Sequence, residues 1–270
     1  MPQTGRDRPF FSIVMATHLR PALLRRSLDS LRAQTFQDFE IIVVADAWDA
    51  DSAVVAAELL RPTDRFLKRS GAPGPALSRN AALDMACGEW VVFLDDDDSF
   101  LPGHLQTVHA HAQEPTAQLL FSDCAVITED RSLPGTPALS QQQLSLIGND
   151  ADALWVKNFI PNHALAYRRS VLGQDCRFDA HLASQEDWDF LLAALSRAPL
   201  RPFAGGGAVM HKDYVNPGTR RGTQESSNNS TVVLDFLHSY RRWPAPTAAL
   251  KTQRQALLKG VGLDLPLAWF

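Results

Sequence analysis

The chain has 270 residues, of which 45% are hydrophobic and 21% are charged, a composition typical of a folded globular protein and unlike that of a disordered one. Its 26 Lys and Arg residues against 30 Asp and Glu residues give a formal net charge of −4. This balance excludes a basic surface spread over the whole protein, so we expect no nucleic acid partner.

The first half of the sequence alternates between apolar runs that suit buried strands and segments with helical periodicity. Pro21 opens a segment whose leucines fall on one helical stripe. We predict strands at 10–15, 39–45, 65–68, 90–94 and 118–122, and helices over 21–34, 51–60, 76–86 and 102–113. Strands that are apolar on both faces and alternate with helices predict an α/β fold with a mostly parallel sheet flanked by helices.

The second half is less regular. Residues 128–150 are polar and are interpreted as a loop or excursion, and residues 212–230 as a mobile loop. Ordered elements are predicted at 164–167, 184–197 and 208–210, followed by two terminal helices over 231–242 and 247–259. The apolar tail 263–270 is expected to pack back on the body.

The spacing of the cysteines and the hydropathy of the sequence predict the cellular compartment of the protein. The three cysteines are widely spaced and form neither a disulfide framework nor a CxxC motif, which favours a reducing environment. No apolar stretch approaches the ~20 residues of a membrane span. We therefore expect a cytoplasmic protein that is at most peripheral to the inner face of a membrane.

Four consecutive carboxylates, Asp95 to Asp98, follow the apolar strand WVVFL. Adjacent carboxylates repel one another and are costly to bury without a counter-charge. The carboxyl edge of an open α/β sheet is also where ligands bind. A hard cation that prefers oxygen ligands, Mg²⁺ or Mn²⁺, is the partner that we predict. Capping of the following helix by Asp98 or Ser99 explains only part of the run.

Other candidate residues lie at the starts of helices and the ends of strands. Asp187 belongs to the acidic start of a helix, where it is either a general base or simply complements the helix dipole. Arg79 begins a helix after a Gly-Pro turn and suits a phosphate. His18 follows the first strand beside the proposed site. His211 follows another strand as a possible metal ligand or a structural histidine.

Four blocks in order resemble the family 2 glycosyltransferases of the GT-A fold, over about residues 10–219. FSIVMATHLRP resembles VSIIIPTYNRP, and RRSLDSLRAQTFQDFEIIVVADAWDAD resembles LLRALESLLAQTYPDFEVIVVDDGSTDD. SRNAALDMACGEWVVFLDDDDSFLPGHL resembles ARNRGLALARGEYIAFLDDDDLWLPDKL. The later NFIPNHALAYRRSVL and RFDAHLASQEDWDFLLAAL are similar to the acceptor-side segment and its "ED" signature.

The resemblance implies a metal-dependent, inverting transfer of a sugar from a UDP-, GDP- or dTDP-sugar to a hydroxyl of a glycan, a lipid-linked sugar or a small molecule. It also implies a role for each matching residue. Asp187 is the implied catalytic base, and Thr17, His18 and Asp46 line the implied base pocket. Arg79 contacts the nucleotide, Asp96 lies near the ribose, and Asp95-Asp96-Asp97 form the DXD motif with Asp97 as the main ligand of Mg²⁺ or Mn²⁺. We keep Asp95 and His211 as further candidate metal ligands.

The sequence departs from the family pattern at three places. One is Asn216-Pro217-Gly218-Thr219, where the family has an HPGS-like segment. His18-Leu19 replaces the usual Tyr-Asn, and Ala45-Asp46-Ala47-Trp48 replaces DDGS. Trp48 either stacks on a base or sugar or packs against the protein. The departures at 18–19 and 45–48 motivate an alternative, a non-catalytic module that binds nucleotide-sugars or glycans. A second alternative is a haloacid dehalogenase-like phosphatase that uses Asp95 as nucleophile and Asp97 as acid, although that motif normally lies on the first strand.

We expect three parts. Residues 1–125 form a subdomain that binds the nucleotide-sugar, and residues 126–230 form the acceptor-side and catalytic subdomain of the same domain, including the flexible loop. Residues 231–270 form a helical C-terminal extension. Lys212, Arg220 and Arg221 of the loop are candidates to close over the diphosphate.

Overall fold

The computed structural model describes residues 8–215 and 229–270, and two sheets organise this part of the chain. The strands are β1 (Phe11–Thr17), β2 (Phe39–Ala45), β3 (Arg65–Lys68), β4 (Trp90–Phe93), β5 (Ser99–Phe100), β6 (Leu119–Phe121), β7 (Cys124–Glu129), β8 (Ala138–Leu144), β9 (Leu165–Arg168), β10 (Leu200–Pro202) and β11 (Ala208–Asp213). The α-helices are α1 (Pro21–Arg32), α2 (Ala50–Leu59), α3 (Pro75–Met85), α4 (His104–Ala112), α5 (Arg169–Leu172), α6 (Glu186–Leu195), α7 (Asn229–Arg242) and α8 (Ala248–Gly260). Short 3₁₀ helices span Ala151–Trp155, Asn162–Ala164 and Leu267–Trp269.

The larger sheet has seven strands in the order β10-β6-β9-β4-β1-β2-β3. Within it only β9 runs antiparallel to its neighbours, β4 and β6. Every residue of β2 and β4 is buried, because helices cover both faces. The prediction of a mostly parallel sheet flanked by helices is confirmed, and each strand and helix predicted before residue 125 is present.

The smaller sheet has the order β5-β11-β7-β8 and corrects the interpretation of residues 128–150 as a loop. Strand β7 continues to Glu129, and β8 pairs with it antiparallel over Ala138–Leu144. The sequence ALSQQQL gave no strand signal because β8 is an exposed edge strand, held by backbone hydrogen bonds rather than by a buried apolar face.

The C-terminal helices form a second apolar cluster against α6. Six of the residues of α6 from Trp188 onward are buried apolar side chains, so α6 is covered on nearly all sides. The cluster joins α6 to α7, α8 and the tail through Trp188, Leu192, Phe236, Tyr240, Leu258 and Phe270. The tail therefore packs back on the body, as predicted.

The described residues test the expectations for the 212–230 loop and for a membrane span only in part. Strand β11 extends to Asp213, so the start of the predicted 212–230 loop is a strand, whereas Arg220 and Arg221 lie outside the described residues. No helix within residues 8–215 and 229–270 is long and apolar enough to cross a membrane. The division at residues 125 and 230 stays a prediction.

Candidate active site

The carboxyl ends of three central strands bring the sequence-predicted residues to one edge of the sheet. Thr17 at the end of β1 is paired with Ala45 at the end of β2, and β4 ends beside them on the other side of β1. The Leu94 amide still donates to the Val14 carbonyl (3.0 Å), and the acidic run begins at the next residue. The register of parallel strands thus places Thr17, Asp46 and the acids of 95–98 together.

Asp96 is the most deeply buried acid of the run, with no exposed surface. Its Oδ2 accepts hydrogen bonds from Thr17 Oγ1 (2.7 Å) and from Arg20 Nε (3.3 Å), and its Oδ1 accepts one from Arg20 Nη2. Burial raises the pKa of the Asp96 carboxyl to about 6, although the charge of Arg20 acts in the opposite direction. The resemblance did not assign any role to Arg20, which is the main counter-charge of Asp96.

Asp97 is 23% exposed at this carboxyl edge of the sheet, which we call the cleft, and two arginines contact it. Arg20 Nη1 (3.2 Å) and Arg131 Nη1 (3.0 Å) both donate to its Oδ2. No motif points to Arg131, which lies in the polar stretch between β7 and β8. Arg131 also binds Glu129 Oε1 (2.8 Å), and Arg26 binds Glu129 Oε2 (2.7 Å).

Arg79 joins the acidic run to the helix that carries Asp187. The guanidinium is 2% exposed; it donates through Nη1 to Glu186 Oε1 (2.9 Å) and through Nη2 to Asp95. Asp187 is half-buried and acts on Arg79 electrostatically. Burial lowers the pKa of Arg79, but the Asp95 and Glu186 carboxylates more than offset it, so the pKa rises and the group stays charged. The hydrogen bond thus joins Arg79 to Glu186, which lies 107 positions later in the chain.

The other end of the cleft holds His18 and Asp46. His18 Nδ1 lies 2.5 Å from Asp46 Oδ1, and the Gly74 amide donates to Asp46 Oδ2 (2.7 Å). Trp48, two residues later, is 64% exposed and therefore does not pack into the body. Leu19 has a φ of +50°, a backbone conformation that bulky residues rarely adopt. Leu19 lies between two residues with different partners. His18 contacts Asp46, and Arg20 contacts Asp96 and Asp97.

His211 is held by a different set of partners. Its ring nitrogens contact Glu129 Oε2 (3.1 Å) and Ser99 Oγ (2.9 Å), and its amide donates to Asp98 Oδ1 (2.8 Å). Burial lowers the pKa of the imidazole, so the neutral form is favoured. None of its contacts in the structure joins it to Asp95 or Asp97, and its role as a metal ligand stays a prediction.

Asp98 has a partner that sequence reasoning missed. His163, 2% exposed, places Nδ1 2.9 Å from Asp98 Oδ2. Burial alone lowers the pKa of this histidine, but the Asp98 charge and hydrogen bond overcome it and raise the pKa to about 10. The raised pKa favours a protonated His163 as the counter-charge of Asp98, whereas the partners of Asp95 and Asp97 are arginines.

The carboxylates of the cleft suit a divalent cation, but the cation would have to compete with arginine side chains for them. Carboxylate oxygens of Asp95 and Asp97 are ligands that Mg²⁺ and Mn²⁺ prefer. Within residues 8–215 and 229–270, however, no three His, Cys, Asp or Glu side chains are already grouped to hold a metal ion. Arginines neutralise these carboxylates in the structure, so a cation would exchange with guanidinium groups.

The family model "Glycosyl transferase family 2" matches residues 12–174, which is more than half of the chain. The chain belongs to glycosyl transferase family 2. The match contains the three strand ends and the acidic run described above. It removes the haloacid dehalogenase-like alternative, since Asp95 and Asp97 fall within the family pattern.

The chain is also similar to characterised proteins. It is 38% identical over 124 residues to the GalNAc(5)-diNAcBac-PP-undecaprenol beta-1,3-glucosyltransferase of Campylobacter jejuni, a match that covers 45% of this chain and 40% of that enzyme. The chain thus matches less than half the length of this relative.

Two solved structures share the fold. A fragment of S. aureus TarS in complex with UDP-GlcNAc superposes with a TM-score of 0.67 at 20% identity, covering 94% of this chain and 73% of the fragment. The mannosyltransferase PcManGT of Pyrobaculum calidifontis, in complex with GDP-Man and Mn²⁺, gives a TM-score of 0.54 at 16% identity and covers 97% and 78%. At these identities the likeness shows the GT-A fold alone.

Proposed function

We propose that the protein is a metal-dependent, inverting glycosyltransferase that moves a sugar from a nucleotide-sugar to a hydroxyl group. The observation that carries this proposal is the Arg79 bridge, which binds both Asp95 of the acidic run and Glu186 beside Asp187. It brings a carboxylate set suited to a cation and a carboxylate suited to a general base to the same cleft. Family membership and the fold shared with proteins that bind UDP-GlcNAc or GDP-Man support the same reaction.

The residues of the chain then take distinct roles. Asp187 accepts the proton of the acceptor hydroxyl as attack proceeds, a contribution of roughly 10²–10⁴-fold. Thr17, His18 and Asp46 line the pocket for the base, Asp96 lies near the ribose, and Arg79 contacts the nucleotide. Asp97 and Asp95 would hold Mg²⁺ or Mn²⁺, which neutralises the charge that develops on the leaving nucleoside diphosphate. Attack from the face opposite that leaving group inverts the anomeric carbon.

The acceptor class and the location are further parts of this proposal. We propose a glycan, a lipid-linked sugar or a small-molecule hydroxyl as acceptor; the Campylobacter relative is named for a saccharide linked to undecaprenol through a diphosphate. We place the protein in the cytoplasm with at most peripheral membrane contact, so cell fractionation would find it in the soluble fraction or released from membranes by a salt wash.

The test is a comparison of transfer and binding in the Asp187→Asn variant. UDP-, GDP- and dTDP-sugars are assayed with Mn²⁺ for release of the nucleoside diphosphate, and nucleotide binding is followed by thermal shift. We expect the variant to lose transfer by at least ~10²-fold and to keep nucleotide binding. Asp84→Asn is the matched control, because Asp84, near the end of α3, is 63% exposed and its ion pair among the described residues is with Arg177 (2.7 Å) rather than with a candidate site residue.

Two results would contradict the proposal. Transfer at the wild-type rate by Asp187→Asn would remove Asp187 as the base. Nucleotide binding by the wild-type protein without turnover of any donor would instead indicate the non-catalytic binding module.

A further inference from the structure

One oxygen of Asp97 lies between two guanidinium groups that come from different sheets. Arg20 follows β1 of the seven-stranded sheet, and Arg131 follows β7 of the four-stranded sheet. Their Nη1 atoms lie 3.2 Å and 3.0 Å from the same Asp97 Oδ2. The side chains of Arg20 and Arg131 are 26% and 17% exposed, so neither arginine is closed off from solvent.

Each arginine is fixed by contacts that do not involve Asp97. Arg20 uses Nε and Nη2 on the fully buried Asp96. Arg131 uses Nε on Glu129 Oε1 (2.8 Å) and Nη2 on the His211 carbonyl oxygen (2.9 Å). Only the Nη1 atom of each is directed to Asp97. If the Asp97 carboxylate turned away, both Nη1 donors would stay where they are.

Two convergent guanidinium donors form a binding site for an anionic oxygen. Arginine binds phosphate oxygens through charge-assisted hydrogen bonds, and the two donors here are positioned before any ligand arrives. A carboxylate oxygen fills such a site in the same way as a phosphate oxygen. A hard divalent cation, in turn, competes with arginine for the carboxylate.

We propose that Arg20 and Arg131 form a site for an oxygen of the donor diphosphate, that the Asp97 carboxylate itself occupies this site, and that Asp97 leaves it when its carboxylate binds a divalent cation. This inference rests on the proposed function, since it concerns the diphosphate of the same donor. It assigns a binding role to Arg131, which belongs to none of the motifs in the sequence. It also predicts that the cation and the diphosphate bind cooperatively, because the cation frees the two arginines for the phosphate.

The test measures Mn²⁺ and nucleotide affinities separately in the Arg131→Gln variant. Mn²⁺ binding is followed by electron paramagnetic resonance with no nucleotide present, and UDP, GDP and dTDP binding by calorimetry at saturating Mn²⁺. The variant lacks a guanidinium that competes with Mn²⁺ for Asp97, so its Mn²⁺ affinity should rise about tenfold. It also lacks an N–H that binds a phosphate oxygen, so its affinity for the nucleoside diphosphate should fall about tenfold. Each change corresponds to ~1.4 kcal/mol. If Arg131 only stabilised the fold, its loss would weaken the binding of both Mn²⁺ and the nucleotide.

Two further variants serve as controls. Arg61→Gln removes an arginine with similar bonds, to the Asp64 carboxylate (3.0 Å) and to the Phe39 carbonyl (2.5 Å), at the opposite edge of the sheet; both affinities should stay at the wild-type value. Arg131→Lys keeps the charge at the same position and guards against misfolding. It should leave Mn²⁺ affinity near the wild-type value while weakening diphosphate binding, because the planar guanidinium that Glu129 and the His211 carbonyl hold with Nη1 directed at the ligand oxygen is lost.

The outcomes separate this inference from the function on which it rests. If Arg131→Gln binds both ligands as the wild-type protein does, or binds both more weakly, the arginine site is wrong and the glycosyltransferase proposal stands. If neither protein binds any of the three nucleotides with Mn²⁺, the donor site itself is wrong, and the arginine site fails with it.

Discussion

His104 at the start of α4 predicts a pH-dependent loss of stability that can be isolated by one substitution. The imidazole is 2% exposed and stacks on Phe100 at 4.2 Å, and its Nδ1 accepts a hydrogen bond from the Gly207 amide (3.0 Å). That bond requires an unprotonated Nδ1. Burial, with a smaller effect of the His163 charge, lowers the pKa of His104 from 6.5 to about 3.

The sign of the effect follows from proton binding in the two states. Between pH 6.5 and pH 3 the unfolded chain binds a proton at His104 and the folded protein does not, so acid favours unfolding. Each pH unit below 6.5 lowers the free energy of unfolding by about 1.4 kcal/mol through His104. Lowering the pH from about 7 to about 5 should therefore remove ~2 kcal/mol of the free energy of unfolding through this residue.

The assay compares the wild-type protein with His104→Asn by urea unfolding at several pH values. Asparagine keeps an acceptor near the Nδ1 position but does not titrate, so it should cost stability equally at all pH values. Asp96, whose raised pKa gives stability that increases as pH falls through about 6, is present in both proteins and cancels in the difference. The stability difference should shift by ~2 kcal/mol in favour of the variant at the lower pH. A constant difference over this range would refute the assignment of a buried neutral imidazole.

Three further substitutions test local features of the fold and site. Leu19→Asn should raise the free energy of unfolding by about 1 kcal/mol, because asparagine tolerates the φ of +50° better than leucine; a urea midpoint at or below that of the wild-type protein would contradict this. Gly88→Ala should cost about 3 kcal/mol, since a Cβ there would lie 2.5 Å from the Ser12 amide nitrogen. Gly103→Ala, where a Cβ would meet nothing within 4 Å, is its control, and equal melting temperatures for the two variants would speak against the clash. Trp48→Ala should leave stability within about 0.5 kcal/mol but weaken binding of the preferred nucleoside diphosphate about tenfold. An unchanged Kd in calorimetry would exclude stacking of Trp48 on the base.

The sequence alone predicted the central strands of the main sheet and a candidate site at their carboxyl edge, but it did not predict β10. The apolar runs of β1, β2 and β4 are long enough and uniform enough to indicate strands buried on both faces, and their alternation with helices indicates parallel pairing. The acids of 95–98 directly follow one such strand, so their place at the carboxyl edge follows from the strand itself. Strand β8 escaped prediction because its side chains are exposed and polar, and only its pairing with β7 defines it.

The tertiary structure decided which cation neutralises each acid of the run. Asp95 is bound by Arg79, Asp96 by Arg20 and Asp98 by His163. Arg131 reaches Asp97 from 34 residues away along the chain, on a hairpin of the other sheet. The sequence indicates that adjacent carboxylates need counter-charges, since burying them unpaired is costly. It does not indicate which cations supply them, because ion pairing depends on distances of a few ångströms between elements that only the folded chain brings together.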